Sequence, residues 1–130
     1  MRSTILDYLN SQTFTNFSTS SELPWDASGV PLYLKNMKKM YVDRPQTVQE
    51  PLIDTLDDNG IVNETTSVTV YVSTDAKNLP TDYETMVSTV KSAKLQDVTS
   101  GWRQRLTGVA TEFNGDVLVT EFTFNFTKLI

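Results

Sequence analysis

The chain contains no histidine and no cysteine. Disulfides, thiolate metal sites and cysteine nucleophiles are therefore excluded, along with the commonest general base and the commonest metal ligand. Glycine is scarce, at five residues, and Gly101, Gly108 and Gly115 form no phosphate-cradling pattern. No run approaches the roughly 18 apolar residues of a membrane span. The opening MRSTILDYLNSQ has only Ile5 and Leu6 as adjacent apolar residues, which predicts no secretory leader and synthesis in the cytoplasm. Basic residues are outnumbered, for a net charge of −5, and a sequence-specific nucleic-acid partner would want a basic stripe instead. With these classes removed, function is expected to come from shape and surface rather than catalysis, with no cofactor and no metal.

What is present is a polar, β-rich pattern in 130 residues, the size of one domain. Ser67–Ser73 (SVTVYVS) alternates strictly and puts Val68, Val70 and Val72 on one strand face. Thr81–Leu95 reads as an amphipathic helix, with Tyr83, Met86, Val87 and Val90 on one side and Lys91 and Lys94 at its far end. Its start, Thr81-Asp82-Tyr83-Glu84, matches a capping box. Trp102–Lys128 reads as one long β-hairpin turned at Asn114-Gly115. A two-residue turn there sets arginines on the face of Phe122, Phe124 and Phe126. A three-residue turn with Gly115 as a bulge residue sets Phe126 opposite Trp102 and Phe122 opposite Leu106. A one-residue slip exchanges the faces, so burial favours the bulged turn, which leaves Arg103 and Arg105 outward near Glu121, Thr123 and Asn125.

The first half is less regular. Thr4–Asn10 predicts a short helix capped by Ser3, and 13–21 a loop pinned by Phe14 and Phe17. Leu23–Pro31 predicts an irregular connector, and Leu32–Asp43 a strand bent near Asn36. Residues 44–60 carry two prolines and the polar turn Asp57-Asp58-Asn59-Gly60; they predict a long excursion, an arm toward a neighbouring subunit or an ordinary surface hairpin, with Leu52–Leu56 pairing with the start of 61–73. Together these elements predict an α+β fold: a mixed, mainly antiparallel β-sheet with a capped helix packed on one face, a short N-terminal helix and a C-terminal hairpin.

Candidate chemistry is thin. Counted back from Gly60, a calcium loop would need oxygen ligands where Thr55 and Thr66 stand, and the required terminal Glu is missing. The carboxylate pairs Asp54/Asp57 and Glu112/Asp116 lie in polar contexts, where solvated surface charge is the expectation. Arg103 and Arg105 are the candidate contact residues. They meet either acidic groups of a neighbouring subunit or tube protein, with Asp57, Asp58 and Glu64 as complementary charge, or Glu121 on their own hairpin.

The pieces ILDYL, the 32–73 strand region, SVTVYVSTDAKNLPTDYETMV, and WRQRL through EFTFNFTKL follow one another in an order and total length that resemble the tail terminators of long-tailed bacteriophages, of the lambda type. The resemblance lies in architecture across most of the chain rather than in a signature motif. It implies a virion protein of the tail and neck, a homohexameric ring that caps the tail tube and presents a surface to the head–tail connector, with no catalytic residue. Another neck or tail-completion protein, or a small ligand-binding α+β module, are the alternatives.

Overall fold

A computed structural model describes residues 1–51, 62–95 and 101–129. In chain order the elements are α1 (Arg2–Ser11), β1 (Ser18–Ser20), α2 (Leu32–Lys35), β2 (Lys39–Val42), β3 (Gln46–Pro51), β4 (Val62–Asp75), α3 (Tyr83–Lys91), β5 (Arg103–Asn114) and β6 (Val117–Leu129). They form the expected α+β arrangement, a mixed and mostly antiparallel open sheet. The strand order is β1-β2-β4-β6-β5, and β3 also pairs with β4, below β2 on the same side.

Alternation along β4 and β6 creates the two faces of this sheet. Val68, Val70 and Val72 lie opposite Phe124, Phe122 and Thr120, and Thr66 lies opposite Phe126. All of these are buried on the inner face. Over them pack Ile5 and Leu9 of α1 and Met86 and Val90 of α3. Polar ties lock the layers. The Tyr8 hydroxyl donates to the Thr89 carbonyl between the two helices, Tyr83 and Thr120 share a hydroxyl contact of 2.8 Å, and Arg2 Nε donates to the Val42 carbonyl at 2.7 Å.

Several expectations are corrected. The capping box is not formed, and α3 starts at Tyr83 with Asp82 at its N-cap and no side-chain cap bond. The Asp82 carboxylate instead accepts the amides of Thr15 and Asn16 and the Asn16 side-chain amide. A tertiary partner outcompetes the local cap. Ser3 is no cap either, because α1 begins one residue before it. The 13–21 segment is a loop only in part: Ser18–Ser20 forms β1, parallel to β2. Leu32–Asp43 opens as one helical turn, and Lys38 reverses the chain into β2 with φ 65°. The strand that pairs with β4 is Gln46–Pro51, whereas Leu52–Leu56 and the 57–60 turn lie outside the described residues.

The hairpin register is also corrected. Asn114 pairs with Val117, so Gly115-Asp116 is the two-residue turn. Gly115 has φ 60° and Asp116 is not in the positive-φ region, the pattern of a hairpin turn that takes Gly first. The bulge lies not at the turn but between Gln104 and Leu106. Above it, Thr107 and Val109 face Phe124 and Phe122, which turns Leu106 outward; below it, Gln104 returns to the inner side opposite Phe126. There Gln104 accepts the Leu95 amide and donates to the Ala93 carbonyl, tying β5 to the chain after α3.

Asp82 yields a pH-dependent prediction. Its side-chain bond from Asn16, with backbone bonds adding to it, holds its carboxyl below the ordinary aspartate value. A depressed carboxylate stabilises the fold fully above its unfolded pKa, and the contribution disappears as pH falls through the folded value. Asp82→Ala is expected to lower the melting temperature at neutral pH, and the deficit should shrink as thermal scans move into the acid range. A deficit independent of pH would mean that the carboxylate charge is not the source.

Candidate interaction surface

Among the described residues, the outer face of the sheet is covered at one corner. Residues 24–36 fold over it, with Leu32 N–H donating to the Pro24 carbonyl and Asp26 accepting from Ser28 and Val30. This flap lays Trp25 and Tyr33 on Tyr71. Tyr33 stacks on Tyr71 with centroids 5.0 Å apart, and Trp25 meets both rings edge-on at 5.5 and 5.1 Å. Ser73 donates to the Tyr33 carbonyl, and Asn36 donates to the buried Tyr41 hydroxyl. Outward on β4 and β6, Thr65, Ser67, Thr69, Thr123, Asn125 and Thr127 are half-exposed and polar, whereas the outward Val119 is buried.

Next to the aromatic corner the charge is acidic. Glu121 lies opposite Tyr71 on one side and Ala110 on the other, and Glu112 lies opposite the adjacent outward residue of β6, Val119. Burial, and then the neighbouring Glu112, push the Glu121 carboxyl above its ordinary value. Burial also pushes Tyr71 up to about 12, with Glu121, Asp43 and Tyr33 adding to the effect. Tyr33 is raised by burial first and by Glu121 and Glu112 after it.

Arg103 and Arg105 are both exposed. Arg103 pairs with Thr127 on the outer face as expected, but Arg105 is the extra residue of the bulge, so the two do not follow simple strand alternation. Neither reaches Glu121. From Thr127 to Glu121 is six residues, about 20 Å of strand, and the ion pair formed among the described residues is Lys77–Asp116, on exposed side chains 3.5 Å apart. The pairing within the hairpin is thereby replaced by two arginines with no acidic partner among the described residues.

Glu64 lies in β4 between Gln49 and Lys128, on the inner face, away from Arg103. Asp57 and Asp58 lie outside the described residues. Of the five proposed contact residues, only Arg103 and Arg105 are therefore placed side by side. Lys128 rests its ammonium 4.5 Å from the Trp102 ring centroid. An open groove of about 410 Å³ beside Arg103 is lined by Asn63, Gly101, Thr127 and Lys128.

The residues that sequence reasoning missed are apolar. Phe113 is 70% exposed, Val48 57%, Leu106 54% and Met37 38%. Leu106, expected opposite Phe122, is exposed because the Gly115-Asp116 turn sets it opposite the outward Asn125. Val48 carried a detectable signal, an isolated apolar residue in a polar segment. The open groove between α1 and the chain after α3, about 450 Å³, is lined by Thr4, Asp7, Tyr8, Ser11, Lys94 and Leu95. Among the described residues no cluster of three or more acidic side chains is placed to hold a metal, and no helix is long and apolar enough to cross a membrane.

No protein-family model matches the chain, and no curated protein matches its sequence.

The aromatic corner sets an alkaline limit on stability. A phenol whose folded pKa is raised binds its proton more tightly in the fold, so the stabilisation is whole below the unfolded value near 10 and is lost as pH rises toward about 12. Urea titrations across this window should show stability falling, and Tyr71→Phe should fall less steeply while matching the wild type near pH 7, because the Tyr71 hydroxyl has no hydrogen-bond partner among the described residues. Parallel curves for the two proteins would remove Tyr71 as the cause.

Proposed function

We propose that the chain is a structural, self-assembling virion subunit of the tail-terminator kind, a ring that caps a phage tail tube and offers its free face to the head–tail connector. The observation that carries this reading is a mismatch of lengths. β4 has 14 residues and β6 has 13, about 45 Å of strand. α1 and α3 have 10 and 9 residues, about 15 Å of helix each. The helices cover the rows around Val68–Val72, and the sheet extends well beyond them.

Beyond that cover, the described sheet is polar and thinly packed. Thr47 and Thr66 share a hydroxyl contact of 2.8 Å, and Gln49, Glu64 and Lys128 continue the same face. Residues 46–50 of β3 are exposed on both faces and, among the described residues, are held through the β4 ladder and the Thr47–Thr66 contact. An arm of this kind, with apolar residues left on the sheet edges, suits a protein that completes its burial against copies of itself. The resemblance in element order supplies the ring, its six-fold symmetry and its partners: itself, the tail tube protein and the head–tail connector protein. No catalytic group is assigned.

Another neck or tail-completion role would use the same surface, and the two differ in where the ring sits on the particle. A ligand-binding module would instead remain monomeric and gain melting temperature with its ligand. Light scattering across a concentration series should show association above the monomer mass, and immuno-electron microscopy should place the protein at the head-proximal end of the tail. A strict monomer at high concentration that is absent from tails would refute the proposal.

A further inference from the structure

We propose that copies of this chain associate head to tail, the β5 edge of one copy seated against the β3 edge and the α2–β2 corner of the next. The inference rests on the self-assembly reading above and specifies its contact surfaces.

The described sheet has two open sides. On one, β5 is bonded only to β6. On the other, β3 is bonded only to β4, and above it β1 closes the edge outside β2. Following the ladder across the molecule gives the height of each residue on both sides. Leu106, Asn125, Ser67 and Gln46 form one row, and Arg103, Thr127, Thr65 and Val48 another. Glu50 lies opposite Asn63, at the next outward position of β3 beyond Val48. Near the other end, Glu112 reaches Ser73 through Val119, and Lys38 donates its amide to the Ser73 carbonyl.

Copies placed side by side at equal height therefore present matched chemistry. At the lower end, Arg103 of β5 comes to the height of Val48, with the exposed Glu50 one outward position lower, about 7 Å along the strand and within the span of an arginine side chain; Arg105 stands above both. At the upper end the signs are reversed: Glu112 comes to the height of the exposed Lys38 and Lys39. Between and beside these charges stand four of the five large apolar residues that are exposed among the described residues. Leu106 and Phe113 lie on the β5 side, and Val48 and Met37 on the opposite side, Leu106 one outward position above the height of Val48 and Phe113 beside that of Met37. Charge complementarity of opposite polarity at two heights fixes which way up the neighbour sits.

Backbone pairing cannot run continuously across this contact. The bulge at Arg105 interrupts β5, and the opposite side steps outward from β3 to β1. Side chains therefore carry the specificity. Because the two surfaces differ, the contact is heterologous, and repetition closes a ring when the rotation per copy permits it. A two-fold contact between two β5 strands also brings Arg105 toward Glu112, but it leaves Val48, Met37 and the β3 edge uncovered.

The absence of native cysteine makes cross-linking a clean test. Leu106→Cys is combined in one chain with Gln46→Cys, Val48→Cys or Glu50→Cys in turn, which spans the possible vertical shifts. Within one copy β5 and β3 are separated by three strand spacings, about 14 Å, too far for a disulfide. Mild oxidation should convert at least one pair into a ladder of covalent multimers, whereas each single-cysteine variant stays monomeric on a denaturing gel. Arg103→Glu with Arg105→Glu should weaken association of the otherwise native chain roughly tenfold, and adding Glu50→Arg should restore it. Oligomers by light scattering with all three pairs silent would overturn this contact while leaving self-assembly standing. A limiting dimer would overturn it in favour of the two-fold β5 contact, and a strict monomer would overturn the self-assembly reading itself.

Discussion

Thirteen consecutive residue pairs join β4 to β6, from Asn63–Leu129 to Asp75–Val117. The position of each other strand is set from that ladder. Because side chains alternate across it, one register decides at once that the three phenylalanines and three valines form the core. The cross-strand pairs Val68–Phe124 and Val70–Phe122 put branched aliphatic side chains against aromatic ones, a favourable cross-strand combination. Tyr83, Met86 and Val90 then find a surface already shaped for them, which is why a nine-residue helix without a side-chain cap persists. Short helices draw most of their stability from such packing.

The same ladder fixes what is left outside. Thr65, Ser67, Thr69, Thr123, Asn125 and Thr127 are placed outward by the alternation that places the core inward. Their β-branched or small polar side chains keep the strand extended without demanding burial. Among the described residues the Trp25–Tyr33–Tyr71 corner departs from this, and there the 24–36 flap provides the cover. Glu121 sits at its border, where partial loss of water and the nearby Glu112 both disfavour its charge. The acidic corner and the arginines of β5 lie at opposite ends of one hairpin, so a net charge of −5 describes their arrangement poorly.

Regular alternation was legible in the sequence wherever it was long enough to survive local exceptions. Ser67–Ser73, the helix around Met86 and Val90, and the phenylalanine face of β6 required nothing beyond period and burial. What could not be read depended on distant partners. The Thr81 capping box has sound local logic, but Asp82 gains three bonds from Thr15 and Asn16, residues that sequence spacing does not bring near. Ser18–Ser20 has no apolar pattern and becomes a strand because β2 offers an edge. The Gly115-Asp116 turn decides that Leu106 is outside, and the bulge at Arg105, which has no signal of its own, decides that Gln104 is inside and Arg103 outside. The candidate surface was accordingly half legible: Arg103 and Arg105 stood out by charge and Val48 as an isolated apolar residue, whereas the exposure of Leu106 and Phe113 emerges only from the register.

A long exposed edge strand carrying Leu106 and Phe113 is a hazard, since its free amides and carbonyls are a template for any extended chain. Three features limit that hazard here. The bulge at Arg105 breaks the regular spacing that another strand would need. Arg103, Arg105 and Glu112 place charges of both signs along the edge, so a neutral or uniformly charged strand meets uncompensated charge. Gly115-Asp116 ends the hairpin in a tight polar turn, with Asp116 held by Lys77. Each feature discourages indiscriminate pairing without removing the apolar side chains that a matched partner would cover. An edge tuned only against aggregation would carry lysine or proline where Leu106 and Phe113 stand. Retaining large apolar groups beside opposed charges is the combination that favours one specific neighbour over many unspecific ones.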